Sequence, residues 1–146
     1  MTKHLGFTGT HYVFEDACRT ELLKTCLQKY QSHGYGVFHH GDCVGSDSLA
    51  HIIALDLGYR VVIHPPQDPK LRAYSSPEPT NDISILEPRP YLERNRAIVD
   101  SVEQMIAVPR AISRVHGKVE VPRGTRSGTW YTVRYALKQK CPVKFV

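Results

Sequence analysis

The chain has little of what usually decides a protein's class at a glance. Its four cysteines, Cys18, Cys26, Cys43 and Cys141, form no C-x-x-C pair and show no metal-ligand spacing, so neither a metal site nor a disulfide scaffold is expected. Cys18 and Cys26 fall in a helical pattern, where a small buried apolar role is predicted. No apolar stretch has signal-peptide length and none is long enough to span a bilayer, which argues against a membrane protein and for a reducing, cytoplasmic compartment. No Lys/Arg-rich run occurs. The formal charge of +5, from 19 basic and 14 acidic residues, favours anionic ligands but is too dispersed to call for nucleic acid. There is no solenoid-period repeat and no low-complexity tract. What remains is a chain of 146 residues with 41% hydrophobic content, enough for one domain with a core of its own and no resident cofactor.

What is present is alternation. Lys3–Thr8 reads as a strand stopping at Gly9-Thr10. From Glu15 to Gln31 the apolar positions Ala17, Cys18, Leu22, Leu23, Cys26, Leu27 and Tyr30 recur at helical spacing, and Gly34 closes that helix. Tyr35–His40 is a second strand, Ser46–Leu57 a second helix ended by Gly58, and Tyr59–His64 a β-branched third strand stopped by Pro65-Pro66. Gln67–Pro90 is long, irregular and proline-rich, a length of loop that is often functional. Tyr91–Ser101 reads as helix, Glu103–Val108 as strand, and Pro109–Arg126 as irregular with a small hairpin around His116-Gly117. Trp130–Lys140 is the last helix and Pro142–Val146 the last strand. This order predicts an α/β Rossmann-like three-layer sandwich of about five mostly parallel strands with helices on both faces. In such sheets ligands bind beyond the carboxyl ends of the strands, and each of those ends here is polar or glycine-rich.

The candidate site residues follow from that geometry. Arg126-Ser127-Gly128-Thr129 opens a helix: Gly128 has no Cβ to hold a bound group away, Ser127 and Thr129 offer caps, and Arg126 adds a permanent cation. With the first-turn amides and the helix dipole, this run suits a phosphate. The stretch His39 to Asp47 sets Gly41, Asp42 and Gly45 ahead of Asp47. Ligand contact is favoured for Asp42 and helix capping for Asp47. His39 and His40, adjacent on a strand, point to opposite faces and cannot share one site. Arg94 and Asn95 open a helix beside Glu93. They suit either a phosphate or carboxylate clamp or, on spacing alone, a solvated face. In Gln67–Pro90, alternate positions put Lys70, Arg72 and Tyr74 on one side of an extended chain, from which they are expected to approach a bound ligand together, Arg72 as a ligand contact. That segment is expected to cover the cleft or to form a subunit contact, against the alternative of a surface excursion without a role.

Three of these motifs in order, Gly-Asp-x-x-Gly-Ser-Asp, then Arg-Asn before a hydrophobic strand, then Ser-Gly-Thr-x-x-Thr at a final helix, resemble the SLOG superfamily. That superfamily includes the LOG phosphoribohydrolases, the YspA-like proteins and the Rossmann domain of DNA-processing protein A; the small stand-alone YspA-like members are the nearest likeness. The resemblance implies a nucleotide-derived ligand on Ser127-Gly128-Thr129, with Gly9 and Thr10 as a first glycine loop and Gly41, Asp42, Gly45 and Asp47 as a second. It also implies a homodimer with shared sites. Arg94 matches an arginine that assists catalysis in LOG enzymes. Thr132 falls where their catalytic glutamate stands, and a threonine cannot act as that carboxylate. The expected function is therefore binding of a nucleotide or a nucleotide-derived small molecule. The alternative, nucleoside monophosphate phosphoribohydrolase activity, requires Asp42, Asp47 or Glu93 as the replacement acid beside Arg94. Trp130, Tyr131 and Tyr74 are candidates to flank a base, with a core role favoured for Trp130.

Overall fold

A computed structural model describes residues 1–12, 17–124 and 126–146. Six strands form one parallel sheet: β1 (Lys3–Gly9), β2 (Tyr35–His40), β3 (Arg60–Ile63), β4 (Ile83–Ile85), β5 (Gln104–Val108) and β8 (Val143–Phe145), in the order β4-β3-β2-β1-β5-β8. Between β5 and β8, two short strands, β6 (Arg114–Val115) and β7 (Lys118–Val119), make the antiparallel hairpin expected at His116-Gly117. The four helices are α1 (Ala17–Ser32), α2 (Ser46–Asp56), α3 (Tyr91–Asp100) and α4 (Gly128–Lys138). The predicted start of the first helix, Glu15 and Asp16, lies outside the described residues.

Two features differ from expectation. The sheet has six strands because Ile83–Ile85, inside the segment read as irregular, pairs in parallel with Val61–Ile63. Three residues are too few to show a period among so many prolines, and the pairing rests on β3 rather than on local pattern. The same segment also holds a 3-10 turn at Pro69–Leu71, capped by Asp68, which accepts from the Lys70 amide at 3.0 Å. Of the two cysteines assigned to the core of the first helix, Cys18 is exposed and Cys26 only half-buried; the buried one is Cys43. In α1, Leu23 and Leu27 alone carry the fully buried stripe.

The sheet is covered on both sides. Leu23 and Leu27 of α1 and Ala50, Ile53 and Ala54 of α2 pack with Leu5, Phe7, Phe38, Ile106 and Val108 on one face. Ile98 and Val99 of α3 and Ala136 of α4 meet Met105 on the other, where Ala107 packs with Trp130 and Val133. The strand β5 is buried at all five positions, so successive residues serve opposite cores, as a central parallel strand must. At Gly6 any Cβ would come within 3.2 Å of Ile98 and 3.0 Å of Val102; the missing side chain sets how closely α3 approaches. The helix-closing glycines, Gly34 and Gly58, adopt φ of 94° and 90°, where any other residue would be strained.

Candidate functional site

The strand order reverses at β1: its chain successors β2, β3 and β4 lie on one side, and β5 and β8 on the other. A crevice must open above the carboxyl ends of β1 and β5 at such a point, because the connections leaving the two strands run to opposite sides of the sheet. A cleft of about 550 Å³ lies there. Its walls are Thr10, His11 and Tyr12 after β1, Arg110 and Ala111 after β5, Tyr91 at the start of α3, Leu71, and Arg126 to Trp130 at the start of α4.

The α4 end of the cleft is built as a helix N-terminus. Ser127 is the N-cap, its hydroxyl accepting from the Trp130 amide at 3.4 Å, and its carbonyl accepts from the Tyr131 amide at 3.0 Å. The Gly128 and Thr129 amides have no acceptor among the described residues, which leaves them as donors at the positive end of the helix dipole. Gly128 is required by Tyr91: a Cβ there would lie 2.8 Å from the Tyr91 ring carbon Cζ and closer still to its hydroxyl. Arg110 and Arg126 are both exposed in the cleft wall. The Arg110 guanidinium lies 4.1 Å from the centre of the Tyr12 ring, within cation–π distance.

The two glycine turns do not both face the cleft. Gly45, at φ 95°, lies against the backbone of His11, where a Cβ would come within 2.8 Å of His11 Cα and closer to its carbonyl. Ser46 donates to the Thr10 carbonyl from its hydroxyl at 2.6 Å and from its amide at 3.0 Å. A Cβ on Gly9 would collide with that hydroxyl. The second turn is therefore the scaffold that presents the first, and Thr10 is the residue it delivers to the cleft.

Beneath the cleft lies a buried polar layer built around Arg94, which is 2% exposed. Its guanidinium donates to the carbonyls of Gly41 and of His64 (2.9 Å for His64), to Asn95 Oδ1 at 2.8 Å and to Cys43 Sγ at 3.2 Å. A Cβ on Gly41 would meet the guanidinium carbon at 2.7 Å. The expected ligand-clamping or solvated Arg94 is thus a fully enclosed cross-brace between α3 and the ends of β2 and β3. Asp47 serves the same layer, one oxygen accepting from the amides of Gly41 and Cys43 at 3.1 Å each. Burial lifts its pKa to about 6 against the opposing pull of Arg94 and the two amides. Burial pushes the Cys43 thiol up to about 12, which makes it inert. Tyr91 links this layer upward: its ring lies 5.1 Å from the Arg94 guanidinium and its hydroxyl lies 3.2 Å from His11 Nε2. Burial, and then Arg94, holds the His11 pKa below its usual value.

Asp42 and Arg72 find each other. Asp42 is fully buried at φ 53°, its carboxylate 3.1 Å from Arg72 Nε and accepting from the Ser75 amide at 2.9 Å. Its carbonyl accepts from the Ala73 amide at 2.6 Å. Tyr74 lies over the Arg72 guanidinium at 4.5 Å, so the pair latches the start of the 67–90 segment beside the cleft, and Leu71 enters the cleft wall. Glu93 is exposed on α3 and Tyr131 accepts from Arg96 at 2.7 Å; neither lines the cleft. Thr132 is 1% exposed and its hydroxyl donates to the Gly128 carbonyl at 2.8 Å. Of the expected site residues, then, Thr10, Arg126, Ser127, Gly128 and Thr129 line the cleft. Gly9, Gly41, Asp47, Arg94 and Asn95 lie in the layer below. His11, Tyr12, Tyr91 and Arg110 complete the cleft without having been singled out. Arg110 stood at a predicted strand end, which was the available signal; nothing local marked the other three.

The histidines of β2 divide by face, as the alternation required. His39 Nε2 meets His4 Nδ1 at 2.7 Å and its Nδ1 meets His64 Nε2 at 2.9 Å, while His40 Nε2 meets His51 Nδ1 at 2.9 Å. Among the described residues no group of His, Cys, Asp or Glu is arranged to hold a metal ion, and no helix is long and apolar enough to cross a membrane.

By sequence, no protein-family model matches the chain and no curated protein matches it. By structure, it is similar to the molybdenum cofactor binding protein of the phototrophic bacterium Rippkaea orientalis, with TM-score 0.67 and 19% identity over 99% of this chain and 76% of the other. The Moco carrier protein of Chlamydomonas reinhardtii matches with TM-score 0.65 and 16% identity, over 100% of this chain and 76% of that one. DNA processing protein A of Streptococcus pneumoniae matches with TM-score 0.66 and 15% identity, over 99% of this chain and 50% of its own length. At these identities the likeness is one of fold: the chain has the Rossmann-like three-layer architecture expected from its alternation.

Proposed function

We propose that the chain binds a nucleotide or a nucleotide-derived small molecule in the cleft between β1 and β5, with its phosphate on the Ser127-Gly128-Thr129 turn. The observation that carries this reading is the convergence, at the switch point, of a helix N-terminus with two donor amides and two arginines, Arg110 and Arg126. Among the described residues no Asp or Glu lines the cleft. A site of that composition favours an anion before any specific contact is counted. The phenol rings of Tyr12 and Tyr91 supply apolar faces of the size a base needs. Trp130 is 8% exposed and packs on Phe145, so it acts as the wall behind the turn.

Binding without turnover is the reading we favour over hydrolysis of a nucleoside monophosphate. An N-glycosidic hydrolase needs a carboxylate near the developing sugar cation. Thr132 cannot supply one, Asp42 and Asp47 are enclosed by the bonds described above, and Glu93 lies on the exposed side of α3. Two of the fold neighbours carry or bind the molybdenum cofactor, which likewise favours binding. Weighing for the enzyme are Glu15 and Asp16, which follow Tyr12 closely in sequence and lie outside the described residues.

Trp130, the sole tryptophan, provides the test. Titration of its fluorescence with nucleoside mono- and diphosphates, cyclic nucleotides and ADP-ribose should show saturable change for at least one. A ligand at a hundred times its Kd should stabilise by about 2.7 kcal/mol. Arg126→Ala and Arg110→Ala should each weaken that ligand about tenfold, the worth of a charge-assisted contact. If none of these compounds stabilises the protein, or both variants bind as the parent does, the assignment fails. Chromatography of the same mixtures decides the enzymatic alternative: free base released by the parent and lost in Glu15→Gln or Asp16→Asn would establish it. The homodimer implied by the superfamily resemblance is checked by analytical ultracentrifugation with and without ligand.

A further inference from the structure

A second hollow, of about 740 Å³, lies away from the cleft between α1, the starts of β1 and β2, and β8. Its origin is architectural. On this face α1 and α2 cover β1 to β3, whereas α3 and α4 pack on the opposite face of β5 and β8. Cys26, Tyr30, Tyr35 and Val146 are therefore left as a half-buried fringe of the main core. Tyr30 and Tyr35 meet edge to face, ring centres 5.3 Å apart, and Leu22, 57% exposed, extends the apolar floor.

The charged side chains of the rim are basic, and Val146, the last residue of the sequence, joins the lining with its carbonyl oxygen accepting from Arg19 at 3.0 Å. Lys3, Lys29, Arg114 and Lys144 line the hollow with His33, and no Asp or Glu does so among the described residues. The one ion pair among the described residues is Arg72–Asp42, so none of these four cations is neutralised by a carboxylate there. Lys144 and Lys29 both lie close enough to act on the Cys26 thiol, and Lys3 Nζ lies 5.3 Å from the centre of the Tyr35 ring while donating to the His33 carbonyl at 3.2 Å. Glu103, the acid that acts on Tyr35, accepts from the His4 amide at 2.6 Å and is not in the lining. Four like charges around an apolar floor repel one another, and an anion between them relieves that repulsion. A second copy of this chain docking through the same hollow would double the repulsion instead.

We infer that this hollow is a second ligand site, for an amphipathic anion: a hydrocarbon body lying on Leu22, Cys26, Tyr30 and Tyr35, with a phosphate or carboxylate held among Lys3, Lys29, Arg114 and Lys144. It shares no lining residue with the cleft, so the two sites stand or fall separately. The probe is decyl phosphate, below its micelle concentration, titrated into isotopically labelled protein while amide resonances are followed. Shifts are expected at Cys26, Tyr35 and Lys144. Decanol and inorganic phosphate should each bind at least about tenfold more weakly, since each lacks one half of the interaction. The double variant Lys29→Glu with Lys144→Glu should weaken decyl phosphate at least about tenfold. Both positions are exposed, so the unfolding midpoint should hold. Arg126→Ala should leave the affinity unchanged. Comparison with 1-naphthyl phosphate tells an aliphatic from an aromatic body; tighter binding of either is consistent with the site. Equal binding of decanol, shifts confined to Thr10 and Gly128, or full affinity in the double variant would overturn the inference.

Discussion

The contact between Gly128 and Tyr91 gives a sharp test, because two opposing effects of one methyl group can be separated. Gly128→Ala removes backbone freedom from the unfolded chain, which stabilises by about 0.4–1 kcal/mol where the native backbone permits it. Its φ is not among the positive values, so the backbone does permit it. Against this, the new Cβ would sit 2.8 Å from Tyr91 Cζ and 2.9 Å from Cε1, with the hydroxyl nearer still. The ring cannot yield freely, since its hydroxyl meets His11 and its face lies 5.1 Å from the buried Arg94 guanidinium. Overpacking of this kind costs about 1–3 kcal/mol, so the clash wins and Gly128→Ala is expected to destabilise by about 1–2 kcal/mol. In a Tyr91→Ala background the obstruction is gone and the same change should stabilise by about 0.5 kcal/mol. Urea unfolding of the four proteins, with m-values checked for constancy, measures both signs. A Gly128→Ala protein as stable as the parent while Tyr91 is present, or the same loss in both backgrounds, would refute the reasoning.

Other consequences follow from the buried layer. Arg94→Met leaves two carbonyls without a donor and Asp47 without a countercharge, and should cost at least about 3 kcal/mol; a variant unfolding at the parent's urea concentration would contradict the cross-brace. Arg72→Ala removes the cation facing the fully buried Asp42 carboxylate, so it is expected to lower stability by about 2 kcal/mol even without ligand, and restoration by Asp42→Asn would locate the cause in that pair. Burial holds His39 at about 4 and His64 at about 3, below the usual 6.5, so the unfolded chain takes up protons first. Stability is then full above pH 6.5 and falls as pH drops toward 4, by about 1.4 kcal/mol per pH unit for each histidine. Asp47, raised to about 6 from 3.8, works in the opposite direction below pH 6 and offsets about one of those protons. His40 and His51 shift in the same sense as His39, so the urea midpoint should drop between pH 6.5 and 5; a flat profile would contradict the neutral histidine chain.

Most of the fold was legible because the elements are regular and their punctuation is chemical. Gly34 and Gly58 stop the first two helices where the pattern stops, and β5 is a run of buried apolar residues that only a central strand accommodates. The three-residue β4 was not legible, since nothing local distinguishes Ile83–Ile85 from its proline-rich surroundings. The cleft wall was legible where local chemistry marks it, at the helix start Ser127-Gly128-Thr129, which lines the cleft. The candidate site was not legible where a polar residue has two possible destinies: Arg94 at a helix start reads as solvated or ligand-holding, and only the carbonyls of Gly41 and His64, 53 and 30 residues away in sequence, make it a buried brace. Asp42 and Arg72 were each read as reaching for a ligand, and their partner proved to be one another. Tyr91 and His11 join the cleft through tertiary packing alone.

The position of β1 also bears on how the chain comes into being. One of its edges pairs with β2 at residues 35–39, but the other waits for β5 at residues 104–108. At synthesis rates of about 5–20 residues per second, roughly 5–20 s separate the first strand from its second partner. Throughout that interval Leu5 and Phe7, destined for the buried core, border an open row of backbone donors and acceptors of the kind that recruits other strands. The nascent chain is therefore most exposed to misassociation at a strand that ends up paired along both edges.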